Sequence, residues 1–200
     1  MKPYVITIAR QYGSGGRTVG KMLARKLGIP FYNREIITMA SEDSGVNAML
    51  FSDERLKSDF LTRLRAHYHG NTPVPNDSSK SYLKDEALFA YQVKIIRRLA
   101  DQGPCVIIGR CADYILRDKA DCLKVFIHAD MKFRAERIVK VYGEREQSPE
   151  ERLRDKDKRR AAYHRFYTNM KWGHAQNYHL TLDSGVIGID KCVDIIAELY

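Results

Sequence analysis

Hydrophobic and polar positions alternate along this chain in two distinct ways. Short β-branched runs, such as "YVITIA" at residues 4–9, predict buried strands, and apolar residues three or four apart predict helices. Val19, Leu23 and Leu27 mark the first helix, which Gly28 ends. The predicted strands are residues 4–9, 29–33, 104–109, 122–129 and 178–184. The predicted helices are residues 17–28, 34–41, 53–69, 83–103, 111–118, 131–143, 148–170 and 188–200, with a loop at 70–82.

Strands and helices follow one another through most of the chain. This order predicts an α/β fold in which a parallel sheet carries helices on both faces. Ligands of such sheets bind beyond the carboxyl ends of the strands. Polar residues follow four of the predicted strands, at 10–18, 33–35, 109–113 and 128–130, so we expect them to meet at one edge of the sheet.

The first strand runs into a glycine-rich loop and then a helix. The loop consists of Gly13, Ser14, Gly15, Gly16, Arg17 and Thr18. Its glycines let backbone amides approach a ligand, and the start of the following helix favours an anion. The sequence therefore predicts a phosphate-binding loop, with the Thr18 hydroxyl as its Mg²⁺ ligand.

The loop lacks the lysine of the usual P-loop pattern, G-x-x-x-x-G-K-[ST]. Gly16 fills the lysine position, and we expect Arg17 to supply the missing charge. Arg17 lies one residue further along the helix, so its direction differs by roughly 100°. A long guanidinium can still turn onto a phosphate and bind it bidentately. Arg10 and Lys21 are further candidates.

Composition and charge narrow the class of protein. The 200 residues fit one domain, and no apolar run approaches the roughly 20 residues of a membrane helix. The four cysteines have no C-x-x-C spacing, which indicates reduced thiols in a cytoplasmic protein. The net charge of +9 suggests an anionic partner. The basic residues are mixed with acids along predicted helices, a pattern typical of solvated helix faces, so nucleic acid is not the expected partner.

Five blocks in chain order resemble the cytidylate kinase-like family, a branch of the P-loop nucleoside-monophosphate kinases. They are "IARQYGSGGRTVGKMLARKLGIPFYN", "VIIGRCADYIL", "KVFIHAD", "DKDKRRAAYHRFYT" and "NYHLTLDSGVIGID". The resemblance leaves about residues 42–95 uncovered. It implies a P-loop NTPase-type core at about 1–41 and 84–200, a helical acceptor cap at 42–83 and a lid at 143–172.

The resemblance also implies that the chain transfers a phosphoryl group from ATP, with Mg²⁺, to a nucleoside monophosphate such as CMP or dCMP. Residues 13–18 would hold the donor phosphates, with Thr18 on Mg²⁺. Arg110 would meet the acceptor phosphate, and Asp157 and Arg160 the acceptor's sugar and phosphate. Arg159, with Lys156, would contact the transferring phosphoryl group. Such cationic groups suit a reaction that depends on positioning and charge neutralisation.

Several positions depart from the family pattern. Asn33 stands where these kinases usually carry an aspartate, Cys111 replaces the aspartate after Gly-Arg, and Leu153 stands at the lid-arginine position. Two other functions therefore stay open. One is a nucleotide-binding regulatory module without transfer activity. The other is a nucleic-acid-binding protein, whose affinity would fall steeply with salt. The acceptor and the oligomeric state also stay open.

Overall fold

The computed structural model describes residues 5–48 and 78–200. The strands are β1 Val5–Arg10, β2 Phe31–Tyr32, β3 Cys105–Ile108, β4 Cys122–His128 and β5 Leu180–Asp183. The helices are α1 Gly16–Leu27, α2 Glu35–Ser44, α3 Ser78–Gln102, α4 Ala112–Ile115, α5 Met131–Tyr142, α6 Pro149–Thr168, α7 Ser184–Ile187 and α8 Ile189–Glu198, with a 3₁₀ turn at Ala175–Asn177.

The strands form one sheet in the order β2-β3-β1-β4-β5, and each neighbouring pair is parallel. Strand β1 lies in the centre, where Val5 pairs with Cys105 on one side and with Cys122 on the other. Its first five residues are buried, as expected for a strand covered on both faces. The predicted α/β parallel sheet is confirmed.

Helices cover both faces of the sheet. Helices α2, α3 and α4 contribute Ile36, Ile95 and Ile115 to a core on one face. Helices α1 and α8 contribute Leu23 and Val193 to a second core on the other face. None of the helices in residues 5–48 and 78–200 is long and apolar enough to span a membrane.

The charged helix α6 begins where the sequence predicts. The Ser148 hydroxyl accepts the N–H of Glu151, whose carboxylate accepts the N–H of Ser148 in return. Pro149 occupies the first helical turn, where its missing N–H is harmless. This capping box fixes the start of the helix that carries Asp157, Arg159 and Arg160.

Helix α3 begins five residues earlier than the sequence predicts. Residues 78–82, expected in the loop, are helical. The breakers that suggested the loop, Gly70, Pro73 and Pro75, all precede Ser78 in the sequence, and serine and lysine do not by themselves end a helix. The predicted helix at 53–69 and most of the predicted cap at 42–83 lie outside the described residues.

Helices α2 and α7 also differ from the prediction. Helix α2 runs to Ser44 rather than residue 41 and ends at Gly45, which has φ of 67°. Helix α7 was not predicted, and it forms because the Asp183 carboxylate accepts the N–H groups of Gly185 and Val186. A single capping carboxylate after a strand is a weak sequence signal. A helix of four residues is also too short to produce a hydrophobic periodicity.

All four cysteines are free and buried, as the sequence predicts. Burial raises the pKa of the Cys105 thiol to about 12 and the pKa values of Cys122 and Cys192 to about 11. These thiols are therefore protonated at neutral pH and behave as small core hydrophobes.

Gly20 provides a test of how closely α1 approaches the sheet. A Cβ at this position would lie 2.5 Å from Ile108 Cδ1 and 3.2 Å from Phe31 Cε2. We expect Gly20→Ala to lower the free energy of unfolding by about 1–3 kcal/mol, because overpacking outweighs the gain in helix propensity. Urea denaturation measures the change. Lys21→Ala, at an exposed position on the same helix, is the control. Equal stability of the two variants would contradict the close approach.

Candidate active site

The glycine loop lies between β1 and α1, at the carboxyl end of the sheet. Gly13 and Gly15 both have φ of 82°, a left-handed conformation that side-chain-bearing residues rarely adopt. A Cβ at Gly13 would also lie 2.9 Å from the Arg134 carbonyl oxygen. The loop therefore needs glycine at position 13 for its conformation and for the space that α5 leaves it.

Serine hydroxyls hold the inner side of this loop. The buried Ser14 hydroxyl lies 2.9 Å from the Gln11 carbonyl oxygen and 3.2 Å from that of Ile127. The Ser184 hydroxyl lies 2.5 Å from the Ser14 carbonyl oxygen. The carbonyl oxygens of Ser14 in the loop and of Gln11 just before it thus accept hydrogen bonds from serine hydroxyls. The Gly16 N–H donates to the Ser14 hydroxyl at 3.4 Å. The N–H groups in the first turn of a helix have no partner within the helix, which makes this turn of α1 suited to bind an anion.

An arginine that is not among the predicted site residues lies against the loop. Arg137, on α5, donates from Nη2 to the Thr18 hydroxyl oxygen at 2.9 Å. A Cβ at Gly15 would lie 3.4 Å from its Nε atom. The basic segment that contains Arg137 was interpreted as a solvated helix face, and only the tertiary packing of α5 shows its proximity to the loop.

Asp157 fastens α6 to the loop. Its Oδ1 accepts the Tyr12 N–H at 2.7 Å, and its Oδ2 accepts Arg134 Nη1 at 2.6 Å. Arg134 also donates to the Tyr12 carbonyl oxygen at 3.2 Å. Burial raises the pKa of the Asp157 carboxyl, against the opposing effects of the Tyr12 N–H, Arg160 and Arg134. Both carboxylate oxygens are engaged by the protein, so a contact with an acceptor sugar stays a prediction.

A pocket opens beside the loop. It is lined by Ala9, Arg10, Gly109, Arg110, Cys111, Asp113, Arg160, Tyr163, His164 and Trp172. Arg110 and Arg160, which the resemblance assigned to the acceptor, are thus brought together, and Arg10 joins them. Arg160 Nη1 also donates to the Arg10 carbonyl oxygen at 3.1 Å. Three guanidinium groups in one pocket favour an anionic ligand.

The turn that carries Arg110 is strained. Gly109, Arg110 and Cys111 follow β3 with φ of 67°, 60° and 55°. Two consecutive residues with side chains in the left-handed region cost of order 1–3 kcal/mol each, and such strain is concentrated at functional sites. The three residues of this turn line the pocket immediately after β3 ends.

A buried histidine–aspartate pair forms the back of the pocket. His164 Nε2 lies 3.0 Å from Asp113 Oδ2, and its Nδ1 lies 3.1 Å from Thr168 Oγ1. The Thr168 hydroxyl itself lies 2.6 Å from the His164 carbonyl oxygen, which identifies that carbonyl as its acceptor. Both ring nitrogens therefore have polar partners within the protein. The pair holds α4 against α6.

The remaining predicted residues lie at the margin of the site. Arg17 is exposed, and Arg159 is half-buried on α6 without lining the pocket. The pKa of Glu35 lies below its ordinary value, because nearby backbone N–H groups and the charge of Arg17 outweigh the raising effect of partial burial. The charge of Arg17 thus acts on the Glu35 carboxylate, and the role of Arg17 as the lysine substitute stays a prediction.

Residues 5–48 and 78–200 offer few ligands for a metal ion. Within the described residues no three or more His, Cys, Asp or Glu side chains are grouped to hold one. The Thr18 hydroxyl, the predicted Mg²⁺ ligand, accepts from Arg137. Mg²⁺ keeps several waters and binds phosphate oxygens, so this donor set fits an ion that arrives with a nucleotide rather than a resident one.

The parallel sheet, its strand order and the glycine loop after β1 define a P-loop kinase fold. The chain belongs to the cytidylate kinase-like family, which matches residues 5–186. A search of curated proteins found no match.

Solved structures share this fold. An uncharacterized protein from Eubacterium ventriosum ATCC 27560 is 27% identical, with a TM-score of 0.70, covering 97% of this chain and 96% of that one. Shikimate kinase from Acinetobacter baumannii, in complex with shikimate, is 14% identical, with a TM-score of 0.53 and coverage of 98% and 92%. A gluconokinase from Sinorhizobium meliloti 1021 is 18% identical, with a TM-score of 0.51 and coverage of 98% and 94%.

The Asp157–Arg134 pair yields a prediction about stability. Both side chains are largely buried, so Asp157→Asn leaves Arg134 without its countercharge. We expect the free energy of unfolding to fall by about 3 kcal/mol. Asp155→Asn, exposed on the same helix, is the control and should change stability little. Urea unfolding of the two variants distinguishes them, and a similar small change in both would show that the pair does not hold α6 to the loop.

Proposed function

We propose that this protein transfers the γ-phosphoryl group of ATP–Mg²⁺ to a small anionic acceptor, in the first instance a nucleoside monophosphate such as CMP or dCMP. Membership of the cytidylate kinase-like family and the P-loop kinase fold support a nucleotide-dependent phosphotransferase. The observation that carries the proposal is the glycine loop beside a pocket lined by Arg110 and Arg160.

On the donor side, residues 13–18 bind the phosphates through backbone N–H groups at the start of α1. Thr18 would hold the Mg²⁺ that accompanies ATP, and this ion would neutralise charge on the phosphates. Arg137, which donates to the Thr18 hydroxyl in the structure, would then be available to a phosphate oxygen. Arg17 turns from Glu35 onto the nucleotide.

On the acceptor side, Arg110 and Arg160 bind the anionic group of the acceptor. An acceptor oxygen attacks the γ-phosphorus as the bond to the β–γ bridging oxygen breaks, which gives ADP and the phosphorylated acceptor. A monophosphate acceptor attacks as an anion, so no base is needed. As the proposed lid at 143–172 closes, Lys156 and Arg159 contact the transferring phosphoryl group and Asp157 contacts the acceptor's sugar. Closure excludes water and suppresses hydrolysis of ATP.

A regulatory module without transfer activity is the second candidate. Gly16 at the lysine position and the contact between Arg137 and Thr18 favour it. Such a module would bind ATP and form no product.

Arg110 gives a test of the acceptor pocket. ATP–Mg²⁺ is incubated with CMP, dCMP, UMP, AMP and GMP, and with shikimate and gluconate because kinases for these compounds share the fold. We expect product with one class of acceptor. Arg110→Ala should raise the acceptor KM roughly 10- to 100-fold, as for a lost charged hydrogen bond, while leaving the KM for ATP unchanged. Arg97→Ala, exposed on α3, is the control. An unchanged acceptor KM in Arg110→Ala would contradict the assignment.

Arg17 gives a test that separates the two candidate functions. If the chain is a kinase that uses Arg17 as its loop cation, Arg17→Ala should reduce product formation roughly 10- to 100-fold while ATP binding survives. Arg25→Ala, exposed near the end of the same helix, should behave as wild type. Product formation and ATP affinity are measured side by side. A wild-type protein that binds ATP without forming any product would instead support the regulatory module.

A further inference from the structure

Two positions of the usual phosphate loop have exchanged their residue types. When the pattern G-x-x-x-x-G-K-[ST] is laid on the chain with Gly15 as its second glycine, the first glycine position falls on Arg10, the lysine position on Gly16 and the serine or threonine position on Arg17, with Thr18 one residue further on. A cation stands where the pattern has glycine, and glycine stands where the pattern has a cation.

The structure shows why the two changes belong together. A Cβ at Gly16 would lie 2.6 Å from Arg10 Cβ, 3.0 Å from Arg10 Cγ and 3.2 Å from Ile127 Cβ. A Cβ atom essentially never lies within 3.0 Å of a heavy atom that belongs to a residue elsewhere in the fold. Every residue except glycine has a Cβ, so positions 10 and 16 cannot both carry a side chain with this backbone. One of the two has to be glycine.

The guanidinium of Arg10 lies between the loop and the pocket. A Cβ at Gly109 would overlap its Nη1 atom, so the guanidinium rests against the first residue of the turn that follows β3. Arg10 lines the pocket together with Arg110 and Arg160. Because β1 lies beside β3 in the sheet, the side chain spans from the donor loop to the proposed acceptor site.

We infer that Arg10, in addition to Arg17, supplies the phosphate-binding charge of the missing loop lysine, and that glycine at position 16 leaves the space that Arg10 occupies. The inference rests on the proposed function. Arg10 binds oxygens of the γ-phosphoryl group as it passes from ADP to the acceptor, and it neither gives nor takes a proton. A guanidinium at this place binds two oxygens at once, which a lysine ammonium does less rigidly.

The exchange can be reversed in the protein. Four proteins are compared: wild type, Arg10→Gly, Gly16→Lys, and the double variant Arg10→Gly/Gly16→Lys, which restores the glycine and the lysine of the usual pattern and leaves Arg17 at its serine or threonine position. Turnover and ATP affinity are measured for each. Arg97→Gly, exposed on α3, controls for loss of one positive charge and for a new glycine.

We expect Arg10→Gly to lose roughly 10- to 100-fold in turnover. Gly16→Lys should also lose activity, because its side chain has no room. The double variant should exceed both single variants by at least about tenfold, a coupling that independent sites do not show. Lysine at position 16 should not rescue Arg17→Ala, because Arg17 does not share this space. Wild-type turnover in Arg10→Gly, or a double variant no better than the single variants, overturns the inference.

A stability experiment tests the shared space without reference to activity. Gly16→Ala should lower the melting temperature by about 5 °C, and Arg10→Gly/Gly16→Ala should lose less than the sum of its two single changes. If the decreases in melting temperature of the two single variants add up in the double variant, the side chains at positions 10 and 16 do not compete for the same space.

A wild type that transfers no phosphoryl group would contradict the proposed function, and ATP affinity then decides the role of Arg10. Affinity weakened about tenfold in Arg10→Gly and restored in the Gly16→Lys double variant supports Arg10 as a phosphate-binding cation. Unchanged affinity overturns that role.

Discussion

The site depends on the direct contact between helix α1 and the sheet. Gly16 and Gly20 lie four residues apart on one face of α1, so both meet the strands. A Cβ at Gly16 would collide with Arg10 and one at Gly20 with Ile108. Without side chains between them, the first turns of α1 lie directly on the ends of β1 and β3. The loop that joins β1 to α1 is short for this reason, and its N–H groups stay at the edge of the sheet.

Helix α6 is positioned by polar contacts more than by an apolar face. Leu153, which stands at the family's lid-arginine position, is buried near its start against Ile138 and Ala135. Beyond it, Asp157 binds the loop at Tyr12, and His164 binds Asp113 beside the pocket. The helix thus contacts the start of the glycine loop and the pocket at points two turns apart. A movement of α6 that altered one contact would alter the other.

The sequence predicted the fold well because the alternation of strands and helices is a local signal. The loop residues 13–18 and the position of Arg110 followed from the same order of elements. The sequence did not reveal the contacts of Arg134 and Arg137 with the loop, which lie more than a hundred residues away along the chain. In a charged helix, residues that face solvent and residues that face a loop have the same composition, so only tertiary packing separates them.

The charge of the pocket follows from how its carboxylates are used. Asp113 faces His164, and Asp157 faces Arg134 and the Tyr12 N–H. Both carboxylates are therefore engaged by groups of the protein, Arg160 among them at 3.9 Å from Asp157, while three arginines line the pocket. A partly enclosed site strengthens the repulsion between like charges compared with open solvent. The local arrangement of charges, more than the overall excess of basic residues, therefore favours an anion in this pocket.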